Sequence, residues 1–102
     1  MAVLLIVEDD TATNEAICEY MSSAGHTTLS ALDGEQGLQI VREKSVDLVV
    51  LDIMLPKRTG LEVLKELRRT SNIPVLMLTA LDDEPTQAAS FDEQADDYIT
   101  KP

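Results

Sequence analysis

Short, continuously apolar runs alternate along the chain with stretches whose apolar residues recur at helical spacing, the pattern of β-α-β units around a parallel sheet. The first run, Val3-Leu4-Leu5-Ile6-Val7, predicts a strand. Ala12, Ala16, Ile17, Tyr20, Met21 and Ala24 then repeat at helical spacing, with Gly25 placed to end that helix and Cys18 on the opposite, solvated face. His26 to Ala31 reads as a second strand, polar enough to belong at a sheet edge. Asp33 and Gln36 form a capping-box pattern ahead of Leu38, Ile40 and Val41.

The third strand, Asp47 to Leu51, is apolar throughout after its first residue, as a strand covered on both faces should be, and it is expected at the sheet centre. A loop from Asp52 to Arg58 leads to Thr59-Gly60-Leu61-Glu62, a second capping-box signature, before a helix whose core face is read as Leu61, Leu64 and Leu67. Pro74 opens a fourth strand, Val75 to Leu78. A weakly amphipathic, acidic helix is expected around Glu84 to Gln94, and Asp97 to Thr100 makes a short fifth strand ahead of Lys101-Pro102. With no internal repeat and no linker, residues 1–102 read as one α/β domain. No crossover helix is expected after that fifth strand, so apolar sheet surface should stay uncovered, which predicts marginal stability, association, or exchange of an element between chains.

Charge narrows the functions open to such a domain. Nineteen acidic against eight basic residues give a net charge of −11, which would repel a phosphate backbone. Direct DNA binding by these residues is therefore not expected. Cys18 is the only cysteine, so no internal disulfide can form. The N-terminus lacks the basic segment and cleavage site of a secretory signal, and the apolar runs fall far short of the roughly 20 residues that cross a bilayer. A cytoplasmic location without membrane attachment is the expectation.

The chemistry gathers at strand ends. The first strand runs into Glu8-Asp9-Asp10 and the third into Asp52. In an open parallel sheet, ligands bind beyond the carboxyl ends of the strands, so these acids converge if the two strands are neighbours. Clustered carboxylates repel one another, and a divalent cation reverses that penalty; an all-oxygen set suits Mg²⁺. The cation would also screen an incoming phosphoryl group from an attacking aspartate, which makes Asp52 the candidate nucleophile. The fourth strand delivers Thr79 and the fifth Lys101, a hydroxyl and an ammonium suited to phosphoryl oxygens. Each feature alone has a plainer reading: a solvated acidic turn, a turn cap, a helix cap, a surface lysine. Their joint occurrence at successive strand ends favours a built site. His26, a lone histidine in a polar strand, is read as structural.

Four segments in order, Leu5-Ile6-Val7-Glu8-Asp9-Asp10, Asp47-Leu48-Val49-Val50-Leu51-Asp52-Ile53-Met54-Leu55-Pro56, Met77-Leu78-Thr79-Ala80 and Ala95-Asp96-Asp97-Tyr98-Ile99-Thr100-Lys101-Pro102, closely resemble the receiver domain of two-component response regulators, most like the OmpR-type subfamily. The resemblance covers essentially the whole chain. It implies a flavodoxin-like (CheY-like), doubly wound five-stranded parallel sheet of order 2-1-3-4-5. It further implies that Asp52 is the phosphoacceptor, and that Asp9, Asp52 and the Met54 backbone carbonyl bind Mg²⁺ with Glu8 supporting the metal indirectly. Asp10 is a bystander in that scheme. Thr79 and Lys101 would hold the phosphoryl group, Tyr98 would be a rotamer switch, and the Lys101-Pro102 bond would be cis. Gln94 stands where the family commonly has glycine.

The implied function is a phosphorylation-dependent switch that takes its phosphoryl group from a sensor histidine kinase, assists its own phosphorylation and dephosphorylation, and controls a DNA-binding output carried by a separate effector domain. A homodimer, through exchanged or non-native contacts if a helix is missing, is compatible with this. Two other readings stand beside it. An aspartyl-nucleophile phosphatase or phosphotransferase would need a second acid two residues after Asp52, where Met54 stands. The remaining reading is a phosphorylation-independent metal-binding or interaction fragment.

Overall fold

A computed structural model describes residues 2–79 and 97–100, with Thr79 and the last four given by their backbone alone. Five parallel strands lie in the order β2-β1-β3-β4-β5: β1 Val3–Val7, β2 Thr27–Ala31, β3 Leu48–Asp52, β4 Val75–Thr79 and β5 Asp97–Thr100. Helices α1 Thr11–Ser23, α2 Gly34–Glu43 and α3 Gly60–Arg68 connect the first four. The order is the one the resemblance implies, with β2 at an edge and β3 between β1 and β4. The helix expected at 84–94, Gln94, Lys101 and the Lys101-Pro102 bond lie outside the described residues.

β1 and β3 are apolar along their length because alternate residues face two covered sides. Leu5, Val7, Val49 and Leu51 pack with Leu38 of α2 and Val63, Leu64 and Leu67 of α3 on one face. Leu4, Ile6, Val50 and Leu78 form the opposite cluster, against Ile17, Cys18 and Met21 of α1. Parallel register then aligns the strand ends: Val7 lies opposite both Ala31 and Leu51, Asp52 opposite Leu78, and Thr79 opposite Thr100.

Four local expectations need correction. β3 runs from Leu48 to Asp52, one residue later than the apolar run suggests. Asp47 stands before it and takes the Val3 N–H on its carboxylate at 2.7 Å, while Asp52 retains its strand pairing. α1 turns Asn14, Ile17, Cys18 and Met21 inward and leaves Ala12, Ala16 and Tyr20 exposed. Alanine suits either face, so it marked the wrong stripe. Cys18 is half-buried rather than solvated, and burial pushes its thiol pKa up. On α3 the buried face is Val63, Leu64 and Leu67, with Leu61 only half-buried.

Gly25 follows α1 at φ +96°, the left-handed conformation that ends a helix and that glycine adopts without a Cβ clash. His26 is structural, its Nδ1 accepting the Ala2 N–H at 3.1 Å. α1 packs on β1 and β2, and a helix about 10 Å across covers roughly two strands spaced about 4.8 Å apart. Over the adjacent strands Ile17, Tyr20 and Met21 therefore border an apolar depression of about 250 Å³ floored by Val50, Leu76 and Leu78. Among the described residues no helix fills it.

Candidate functional site

The chain leaves β1 toward β2 and returns across the sheet to β3, so β1 and β3 are neighbours whose following loops depart in different directions. This is the switch point where open α/β sheets form a crevice at the carboxyl edge. Glu8 follows β1 directly and Asp52 ends β3, and the two are buried at 0% and 2% exposure, with Asp9 exposed beside them. One carboxylate oxygen from each of Glu8, Asp9 and Asp52 lies within 4.8 Å of the others.

Backbone groups hold this cluster in place. The Glu8 N–H donates to the Ala31 carbonyl at 3.1 Å, extending the β1–β2 ladder by one bond. Glu8 Oε2 accepts the Asp10 N–H at 3.2 Å. The Met54 N–H donates to Asp52 Oδ1 at 3.2 Å and orients that carboxylate. Behind it, the Gly60 N–H donates to the Ile53 carbonyl at 2.7 Å, seating the N-terminus of α3 against the end of β3. Asp10 is outside the cluster but is no idle neighbour. It is the N-cap of α1, accepting the Thr13 N–H at 3.0 Å.

The donor set is all hard oxygen, two of its members shielded and one open to solvent. That set can chelate a divalent cation, and it fits Mg²⁺, which takes one or two carboxylates, keeps several waters and shares its remaining positions with phosphate oxygens. Without a cation, three like charges at this separation oppose one another.

The other residues singled out from sequence fall as follows. Met54 is on the loop after β3, the residue 63% exposed and its N–H donating to Asp52. Thr79 ends β4, one residue beyond the position opposite Asp52, so its backbone reaches the same sheet edge. Tyr98 lies in β5 opposite Met77, and Lys101 is outside the described residues. Sequence reasoning missed Asn14 and Gly60, which support the cluster from behind. Asn14 shares the 14, 17, 18, 21 stripe of α1 with three apolar or soft residues, and a polar residue inside such a stripe was the available signal.

Comparison with known proteins agrees with the geometry. The family described as "Response regulator receiver domain" matches residues 4–102. The transcriptional regulatory protein AfsQ1 of Streptomyces coelicolor is 41% identical over 102 residues, covering 100% of this chain and 45% of that protein. The uncharacterized transcriptional regulatory protein YcbL of Bacillus subtilis is 45% identical over 98 residues, covering 96% of this chain and 43% of that protein. The chain thus spans less than half the length of these curated relatives. Among solved structures, the receiver domain of Francisella response regulator 1452 superposes with a TM-score of 0.92 at 32% identity, covering 100% of this chain and 85% of that one.

Proposed function

Since this chain belongs to the family of response regulator receiver domains, we propose that its part in a two-component system is carried by Asp52 as the phosphoacceptor. The observation that supports this most is the convergence of Glu8, Asp9 and Asp52 at the carboxyl edge, with Asp52 oriented by the Met54 N–H. A carboxylate oxygen of Asp52 attacks the phosphorus of a phosphohistidine on a sensor histidine kinase. The O–P bond forms as the P–N bond breaks, and the imidazole leaves with the electron pair and takes up a proton. Water later attacks the acyl phosphate, releasing inorganic phosphate and restoring the carboxylate.

Asp9, Asp52 and the Met54 carbonyl, with Glu8 acting indirectly, would hold Mg²⁺, which when bound supplies positive charge that offsets the repulsion between these acids and an incoming phosphoryl group. Thr79 and Lys101 are assigned to the phosphoryl oxygens, and Tyr98 to the switch that responds to Thr79. The output is a change in the surface presented to an effector domain or to a second copy of the chain. Residues 1–102 are the receiver unit of that arrangement, and contact with DNA would be made by the effector domain. Among the described residues no helix is long and apolar enough to cross a membrane.

The test is intact mass after incubation with acetyl phosphate and MgCl₂, in parallel on Asp52→Ala and on a sample in EDTA. One adduct of about 80 Da that requires both Asp52 and Mg²⁺ is the expected outcome. An adduct that survives in Asp52→Ala, or none in the folded parent chain, overturns the assignment.

A further inference from the structure

Asn14 is, with Glu8 and Asp52, one of three buried polar or charged residues among those described, at 2% exposure. Its Nδ2 donates to the carbonyls of Glu8 at 3.0 Å, Ala31 at 3.1 Å and, more weakly, Ile6 at 3.4 Å. Its Oδ1 accepts from Ser30 Oγ at 2.7 Å and Cys18 Sγ at 3.4 Å. Carbonyls on one side and a hydroxyl and a thiol on the other allow the amide a single orientation. We propose that Asn14 is a positioning residue for the cation site, holding the Glu8 backbone between β1 and β2 so that Glu8 and Asp9 are presented together to Asp52.

Regular pairing of β1 with β2 ends at Val7 opposite Ala31, and the Glu8 N–H makes one further bond to the Ala31 carbonyl. The Asn14 amide donates to that same carbonyl and to Glu8's own, so one side chain ties together the two peptide units that set the direction of residue 8. Asp10, four residues earlier, caps α1, and its backbone carbonyl accepts the Asn14 N–H at 2.9 Å. The turn carrying Glu8 and Asp9 is thus anchored to the first turn of α1 at both of its ends. Asn14 makes these bonds to backbone atoms and acts on the cation only through Glu8 and Asp9. Removing a partner hydrogen-bonded directly to a metal's ligand typically changes affinity about 10- to 100-fold, and Asn14, which acts through the backbone that carries Glu8 and Asp9, belongs at the lower end of that range.

This inference rests on the cation reading of the cluster, and the experiment separates the two. MgCl₂ is titrated calorimetrically into the whole chain as parent, Asn14→Leu, Ser30→Ala and Leu67→Ala, with thermal melts of each in EDTA. Leu67 is buried on the opposite face of the sheet, so its variant reports what lost stability alone does to binding. Asn14→Leu is expected to weaken Mg²⁺ binding about tenfold or more. Leu67→Ala should bind within about twofold of the parent although it melts early. A folded Asn14→Leu with parental affinity overturns the inference while leaving the cation site standing. If Asn14→Leu does not fold, Ser30→Ala decides, since Ser30 is exposed and its hydroxyl restrains Oδ1: affinity weakened about threefold supports the proposal, and parental affinity overturns it. A parent chain with no saturable Mg²⁺ response refutes the cation site and this inference with it.

Discussion

Gly60 shows how closely the phosphoacceptor's surroundings are packed. A Cβ built there would lie 2.2 Å from the Asp52 carbonyl oxygen and 2.8 Å from the Ile53 Cα, both backbone atoms that cannot swing aside. Only the N-terminus of α3 could move, and it would carry the 53–60 loop with it. Gly60→Ala is therefore expected to destabilise the domain by about 1–3 kcal/mol, the usual cost of overfilling a packed site. It should also slow uptake of the phosphoryl group, because the loop that moves includes the Met54 N–H bonded to Asp52. Urea denaturation and the rate of mass gain from acetyl phosphate measure the two effects, and a variant that matches the parent in both would show the contact to be relaxed at no cost.

The two capping patterns in the sequence resolve differently once they are helices. At α3, Thr59 Oγ1 accepts the Glu62 N–H at 3.2 Å and Glu62 Oε1 accepts the Thr59 N–H at 3.1 Å, a complete reciprocal cap. At α2, Asp33 accepts the Gln36 N–H at 2.8 Å, but Gln36 Oε1 reaches past Asp33 to the Leu32 N–H at 2.7 Å. α3 has only nine residues, too few to be helical without its cap and its packing. Thr59→Ala should cost about 0.5–2 kcal/mol, read as a lower urea midpoint. An unchanged midpoint would mean that burial of Val63, Leu64 and Leu67 alone orders this helix. Arg58 adds a link between the same two helices, ion-paired with Glu35 of α2 and, at 3.8 Å, with Glu66 of α3. Partly exposed pairs of this kind contribute little to stability, and their effect here is to hold the loop after β3 near α2.

For the domain as a whole, a net charge of −11 and the apolar depression beside α1, which no described residue fills, act in opposite directions. The charge keeps copies apart, and the exposed apolar surface draws them together. The dye ANS should consequently fluoresce with the folded chain, and the signal should fall in Met21→Glu, which puts a charge at the rim of the depression. Equal fluorescence from both folded chains would show that the depression is already filled. The balance also depends on salt, which screens repulsion without weakening apolar contact.

The order of apolar runs and amphipathic stretches was enough to indicate a parallel α/β sheet, the edge position of β2, the central position of β3, and acids at the carboxyl ends of β1 and β3. That these two strands are neighbours, so that Glu8, Asp9 and Asp52 cluster, was implied by the family resemblance and is seen in the fold. The rest follows from periodicity and from the fact that parallel strands place their carboxyl ends together. The rotation of α1 could not be read that way, because alanines satisfy either face while Asn14 needed three backbone carbonyls from β1, β2 and the turn between β1 and α1 to justify its burial. Likewise, nothing near Gly60 in sequence marks it as the residue that seats α3 against Asp52. Side-chain type and spacing carry the chemistry of the acids, whereas the groups that hold them are defined by what lies opposite across the fold. Only the tertiary structure brings those partners together.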